Sequence, residues 1–162
     1  MAYQNRFIQR NQVVPGMSIP LANKGNNFQS SYVSGFVNFV PSKYFEVEAG
    51  YGRNFIGDGY RSLLLSDASN ASPYLKLQTS FWKFQYTNLF ASHRNIYNVE
   101  LNKDLYQKKY TATHFLDWKA TSWLNVGLFE TIIWGAEEGS YTRGFDLNYA
   151  NPFIFYLSLI HI

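Results

Sequence analysis

The sequence predicts an all-β fold, an antiparallel meander of about six strands that forms part of a large transmembrane outer-membrane β-barrel. The composition supports this, because 19% of the 162 residues are aromatic and only 15% are charged, whereas a water-soluble domain carries about 25% charged residues. Apolar and polar residues also alternate with period two in successive segments. Finally, short and long connections alternate along the chain, which is typical of barrels with tight turns at one end and long loops at the other.

The strands follow from the alternation, taken in chain order. Strands are predicted at residues 31–40, 44–53, 74–79, 81–90, 109–119 and 123–134. In the second of these segments one face is apolar, with Phe45, Val47, Ala49 and Tyr51. In the last segment Glu130 falls on the apolar side. A β-bulge would resolve that conflict, although the sequence does not show one.

The connections indicate how the strands are arranged. Tight turns are predicted at 41–43, 79–81 and 120–122, and long loops rich in Gly, Asn, Asp and Ser at 54–73, 92–108 and 135–151. A sheet spans lipid only if it closes, and about six strands are fewer than the roughly eight of the smallest barrels, so we expect a larger wall. The alternative is a soluble, lipocalin-like barrel or a sandwich with its apolar face inward. Tyr and Trp near the strand ends favour the membrane.

Composition excludes several other classes of protein. No segment reaches the roughly 18 continuous apolar residues of a transmembrane helix. The formal charge is +3 with a pI near 9.0, but the basic residues are scattered, so no nucleic acid is expected as a partner. The chain has no cysteine, hence no disulfide and no thiolate metal site. His93 and His114 lack metal-binding spacing, and no cofactor or metal is expected.

The chain divides into three parts. Residues 1–27 are predicted to be an irregular N-terminal segment and 28–156 a partial outer-membrane barrel. Residues 157–162 read Leu-Ser-Leu-Ile-His-Ile, which matches one translation frame of a transposon mosaic-end sequencing adapter. We therefore expect read-through there, with a genuine hydrophobic C-terminal strand as the alternative. No signal peptide opens the sequence, and we expect the true start to be missing.

A resemblance to a known family rests on two groups of motifs. The first is the run from Tyr51 to Asp67, YGRNFIGDGYRSLLLSD, followed by Pro-Tyr-Leu-Lys-Leu at 73–77. The second comprises NVGLFE at 125–130 and RGFDLNYANP at 143–152. Together they resemble outer-membrane barrels related to the capsule-assembly protein Wzi, above all the Bacteroidota-type members, some of them named for gliding motility. The resemblance covers about residues 28–156.

The resemblance implies a large single-chain barrel in the outer membrane that takes part in capsule or surface-polysaccharide assembly or attachment and is not an enzyme. Its implied partners are outer-membrane lipid and lipopolysaccharide, and capsular or surface polysaccharide. Nothing in the sequence corresponds to the helical plug of the relatives. A passive porin or outer-membrane transporter is the first alternative, and a gliding-motility surface component is the second.

The long loop at 54–73 holds the candidate ligand contacts. Saccharides are bound by aromatic stacking and by planar hydrogen-bonding groups, so the candidate glycan contacts are Asp58, Tyr60, Arg61 and Asp67. The leucines at 63–65 are expected to fold inward and fix the loop. Gly57 and Gly59 are expected to allow positive φ, and the Asp67 carboxylate to close a turn.

Charged residues on the predicted strands receive structural roles. Glu46 and Glu48 share the polar face of one strand, and we expect them to balance lysines such as Lys76, Lys83 or Lys119 rather than to act in catalysis. Arg53 is predicted on the outward face as an interfacial anchor. His114 is predicted near a membrane interface if its face meets lipid.

Overall fold

A computed structural model describes residues 22–24, 27–29, 31–58, 60, 62–94, 108–138, 141–142 and 144. The predicted irregular segment lies mostly outside these residues, and the predicted read-through lies entirely outside them. The strands are β1 (Ala22–Lys24), β2 (Asn27–Gln29), β3 (Gly35–Ser42), β4 (Phe45–Gly52), β5 (Ser72–Phe81), β6 (Phe84–Arg94), β7 (Lys108–Lys119), β8 (Asn125–Gly135), β9 (Glu137–Glu138) and β10 (Tyr141–Thr142). No described helix is long and apolar enough to cross a membrane.

Strands β3 to β8 form one antiparallel meander sheet in chain order, while β1 pairs with β2 and β9 pairs with β10. This confirms the all-β class and the six predicted strands. In the described part of the chain β3 and β8 remain the two edges, so the sheet is an open wall and not a closed barrel.

One predicted turn lies three residues later than expected. Strand β5 continues through residues 79–81, because Ser80 pairs with Gln85 and Phe81 with Phe84. The turn is therefore formed by Trp82 and Lys83. Trp82 has a φ of 53°, the left-handed conformation that two-residue hairpin turns require.

The register sorts the side chains onto two faces, since residues paired across an antiparallel ladder point the same way. The apolar face carries mostly hydrophobic side chains, which include Val47, Leu77, Phe90, Leu116 and Ile132, and is interrupted by Asn88, His114 and Glu130. The polar face carries the opposite set, which includes Glu48, Lys76, Gln78, Gln85 and Thr113.

The best-packed part of the sheet lies on the apolar face. Phe90, Ala112 and Trp134 form a buried cluster on neighbouring strands β6, β7 and β8. Leu77, Tyr110 and Ile132 pack against it from the same face. On the opposite face Leu89 and Ala91 of β6 are also buried, so the core of the described chain is centred on strands β6 to β8.

The register irregularity of the sheet lies in β3 and not in β8. Between Phe39 and Ser42 the pairing of β3 with β4 shifts, and Pro41 lies inside this shift, where a missing N–H removes no ladder bond. The pairing of β7 with β8 runs without a break from Lys109 to Lys119. Glu130 therefore stays on the apolar face, directly opposite His114.

Replacing Gly50 by alanine is expected to separate β3 from β4. An added Cβ at Gly50 would lie 2.6 Å from the Gly35 carbonyl oxygen and 2.7 Å from the Phe36 Cβ. These atoms belong to the backbone of β3 or are attached directly to it, so they cannot move away easily. Overpacking of this kind costs about 1 to 3 kcal/mol. The measurement is the free energy of unfolding in urea. Gly35→Ala is the control, because nothing lies within 4 Å of its Cβ position, and equal losses for both variants would contradict the prediction.

Candidate functional site

A cavity of about 540 Å³ opens on the polar face, between the central strands and the segment that follows β4. Strands β4 to β6 supply its floor, and residues 53–57 cover one side. Its polar and aromatic lining includes Tyr32, Glu48, Arg53, Asn54, Tyr74, Lys76, Gln78, Gln85 and Phe115. The volume lies in the range of small-ligand pockets.

Glu48 is the central hydrogen-bond acceptor of this cavity. Its Oε1 accepts a hydrogen bond of 2.7 Å from the Tyr74 hydroxyl and forms an ion pair of 2.9 Å with Lys76 Nζ. The register explains the contact, because Glu48 and Lys76 are direct partners and Tyr74 lies opposite the neighbouring Gly50 on the same face. The predicted balancing of Glu48 by a lysine is thereby confirmed. Glu46 differs, since its carboxylate accepts a 2.8 Å bond from Asn38 instead.

Arg53 lies at the rim of the cavity. Its guanidinium lies 4.7 Å from the centre of the Tyr32 ring, a cation–π distance, and it lines the same cavity as Glu48 and Lys76. The predicted position on the outward face is therefore wrong. The chain leaves β4 at Gly52, and beyond the strand the alternation no longer sets the direction of a side chain.

The covering segment is anchored at its base. Ile56 and Leu65 pair through two backbone hydrogen bonds of 3.0 and 3.2 Å. The Ser62 hydroxyl donates to the Ile56 carbonyl and accepts from the Leu64 amide at 3.0 Å. Gly57 has a φ of 118°, which only glycine adopts readily, as predicted.

The predicted anchoring by the leucines is largely wrong. Leu63 is fully exposed and Leu64 is exposed, whereas Leu65 is half-buried. Backbone pairing and the Ser62 hydroxyl fix the loop instead. The turn after the leucines was predicted to be closed by the Asp67 carboxylate. Instead, the Ser66 hydroxyl accepts a hydrogen bond of 3.3 Å from the Ala68 amide, and Asp67 is exposed.

The predicted glycan contacts lie apart from the cavity. Tyr60 is 90% exposed, Asp58 and Asp67 are also exposed, and none of these three lines the cavity. Arg61 and Gly59 lie outside the described residues. The structure therefore leaves Asp58, Tyr60 and Asp67 exposed on the loop and places a different set around the cavity.

The residues missed by the site prediction carried a signal in the sequence. Tyr74, Lys76 and Gln78 alternate with leucines on one strand, and the polar strand face of Glu46 and Glu48 was also recognised. What identifies the site is the register that sets Lys76 opposite Glu48. No local pattern specifies that register.

The cavity provides binding chemistry. It offers ring faces, a carboxylate, two cations and side-chain amides to a ligand, the combination that holds saccharides. Among the described residues Glu48 is the only acidic residue in its lining. The two facing carboxylates that most glycoside hydrolases use are therefore not brought together there. The described residues also contain no group of three or more His, Cys, Asp or Glu side chains that could hold a metal ion.

A second polar cluster lies on the apolar face. His114 is completely buried, and its Nδ1 lies 2.7 Å from Asn88 Oδ1 and 2.8 Å from the Tyr86 hydroxyl. Glu130 faces it across β7 and β8, with a buried Oε2 that has no hydrogen-bond partner among the described residues. His114 is in the middle of β7 rather than near either end.

No protein-family model matches the chain, and comparisons with curated proteins and with solved structures give no match either.

Proposed function

We propose that the chain forms part of the wall of an outer-membrane β-barrel of the Wzi-related type, which contacts capsular or other surface polysaccharide without catalysing a reaction. The observation that carries the proposal is the division of the sheet into an apolar face with many exposed hydrophobic side chains and a polar face that carries a cavity. The motifs at 51–67 and 143–152 add the resemblance to capsule-assembly barrels.

The apolar face supports the membrane part of the proposal. Large apolar side chains are exposed across all six strands of the sheet, namely Val37, Phe39, Phe45, Tyr51, Leu75, Phe84, Trp118, Val126 and Leu128. Covering one such side chain is worth roughly 1.5 to 3 kcal/mol, so a face of this size in water would be strongly unfavourable. Acyl chains of outer-membrane lipid and lipopolysaccharide would cover it, and further strands would close the edges at β3 and β8.

The polar face supports the polysaccharide part. In a barrel of this orientation the cavity faces the lumen, where a sugar chain passes or is held. Tyr32 and Tyr74 offer rings, while Lys76, Gln78 and Gln85 offer hydrogen-bond donors. Because Glu48 fixes both Tyr74 and Lys76, the Tyr74 ring and the Lys76 ammonium are held in place before a ligand binds, which lowers the entropic cost of binding.

The cavity part is tested by binding of a purified capsular polysaccharide to the full chain in detergent. Tyr74→Leu removes a ring and Lys76→Gln removes a cation that line the cavity, and a hydrogen bond to a charged group contributes about 1.5 to 3 kcal/mol. We expect affinity to fall about tenfold or more, measured by calorimetry. Lys43→Gln, an exposed turn residue, is the control and is expected to leave the affinity unchanged.

The loop residues form a second set of variants in the same experiment. Asp58→Asn, Tyr60→Phe and Asp67→Asn test the contacts predicted from the sequence. If binding depends on these and not on the cavity variants, the polysaccharide lies on the outer surface of the loop. Unchanged affinity in both sets would contradict polysaccharide binding at this end of the sheet.

Two other outcomes would select the alternative functions. Open, steady conductance in a planar bilayer, without glycan retention, would identify a passive pore or transporter. Loss of cell spreading with an intact capsule in a deletion strain would identify a gliding-motility surface component.

A further inference from the structure

The end of the sheet that carries the short connections, which we call the turn end, is unusually uniform in chemistry. It comprises residues 43–44, 82–83 and 118–124. Each connection carries one lysine and an aromatic residue, the lysines being Lys43, Lys83 and Lys119. None of these residues is Asp or Glu, so this end is positively charged.

Backbone hydrogen bonds join the three connections into one edge. The Ser80 amide donates to the Tyr44 carbonyl at 2.8 Å, and the Lys119 amide donates to the Lys83 carbonyl at 2.9 Å. The Lys83 side chain adds a 3.2 Å bond to the Ala120 carbonyl. The lysines therefore lie along one edge of the six-stranded sheet, from the connection of β3 with β4 to that of β7 with β8. They are not on independent loops.

Aromatic rings accompany the lysines along the same edge. The rings of Phe84 and Trp118 stack with centroids 5.8 Å apart, and Trp82 lies 6.1 Å from Phe84. At the first connection Tyr44 lies 6.4 Å from Phe81. The apolar face therefore ends in a row of rings, and the lysines lie at or beyond its margin.

We propose that the turn end binds the phosphate groups of an anionic phospholipid surface. Amphipathic rings followed by a row of cations match the order of a bilayer surface, in which acyl chains give way to glycerol and then to phosphate. The lysines favour an anionic surface over a neutral protein surface. The rings favour a lipid over an acidic protein, because they continue the exposed hydrophobic side chains of the apolar face. One acidic residue, Asp117, lies one row further into the sheet, opposite Gln85 and Gly127.

This inference rests on the proposed membrane location and adds the chemistry of the lipid that meets one end of the sheet. The opposite end differs. It carries the cations Arg94, Lys108 and Lys109 but also the acidic loop residues Asp58 and Asp67. A preference for anionic headgroups is therefore expected from the turn end alone.

The test is flotation of the full chain with phosphatidylcholine vesicles and with vesicles that also contain phosphatidylglycerol. A lysine near an anionic surface is worth about 1 kcal/mol, which is about a fivefold change in partitioning. The variant K43Q/K83Q/K119Q is expected to partition on the order of a hundredfold less to the anionic vesicles. On neutral vesicles it should behave like the unmodified chain, and high salt should remove the difference.

The matched control is R94Q/K108Q/K109Q, which removes the same number of positive charges from the opposite end. Equal losses in the two triple variants would overturn the inference, because bulk charge would then explain them. The unmodified chain provides a second measurement that does not depend on folding of the variants. If it shows no preference for the anionic vesicles, the inference fails while the membrane location stands. If it floats with neither vesicle, the inference and the membrane location fail together.

Discussion

Replacing His114 by leucine is expected to lower the free energy of unfolding by about 2 to 5 kcal/mol. The imidazole Nδ1 lies within hydrogen-bond distance of Asn88 and Tyr86, and leucine would leave both partners without it in a packed region. Each buried polar group that loses its partner costs about 1 to 3 kcal/mol. The measurement is urea unfolding of the chain in detergent, followed by tryptophan fluorescence.

A combined variant separates polarity from packing in this cluster. Tyr86→Phe, Asn88→Leu and Glu130→Leu, added to His114→Leu, convert the whole cluster to apolar side chains. Replacing every partner at once is close to neutral or stabilising, so we expect this variant to recover most of the loss. A combined variant less stable than His114→Leu alone would show that shape and not hydrogen bonding sets the cost.

The cluster also has a consequence for the proposed membrane location. A polar group that is held away from water must find its partners within the protein. His114 is completely buried and lies within hydrogen-bond distance of neighbours on β6, which explains how a histidine can lie in the middle of β7 on the apolar face.

Replacing Trp134 by alanine is expected to cost about 3 to 5 kcal/mol, which is the usual range for a large aromatic residue in a core. Trp134 is only 7% exposed and packs in the cluster with Phe90 and Ala112. Its ring centroid lies 5.8 Å from that of Tyr110, and its indole N–H donates to the Gly144 carbonyl at 3.4 Å. The same urea titration measures the loss.

Trp123 is the matched control for this prediction. It precedes β8, the strand that carries Trp134, but is 81% exposed. An exposed residue of this kind usually changes stability by less than about 0.5 kcal/mol. If Trp123→Ala were as destabilising as Trp134→Ala, the cluster at Phe90 could not be the main core of the sheet.

The positions of the polar partners show where prediction from the sequence ends. Alternation placed Glu48 and Lys76 on polar strand faces, and the predicted set of lysine partners for Glu48 included Lys76. It could not select Lys76 over Lys83 or Lys119, and it did not identify the Tyr74 hydroxyl as a second donor. These residues are 26 and 28 positions from Glu48 in the chain, and only the register brings them together.

The loop after β4 shows the same boundary. The need for positive φ at Gly57 could be predicted, because it follows from the local sequence. The directions of Leu63 and Arg53 could not be predicted, since no period constrains a side chain outside a strand. The pairing of Ile56 with Leu65 lies in the same loop, and no strand period specifies it.

The sequence by itself determined the six strands and, within each strand, which residues share the apolar face and which share the polar face. It could do so because consecutive side chains on a strand point to opposite sides, which is a property of the local backbone. Only the tertiary structure decided the register of the strands, the cavity around Glu48 and the partners of His114. Those features depend on the alignment of neighbouring strands, whose energy is the sum of many contacts between residues far apart in the chain.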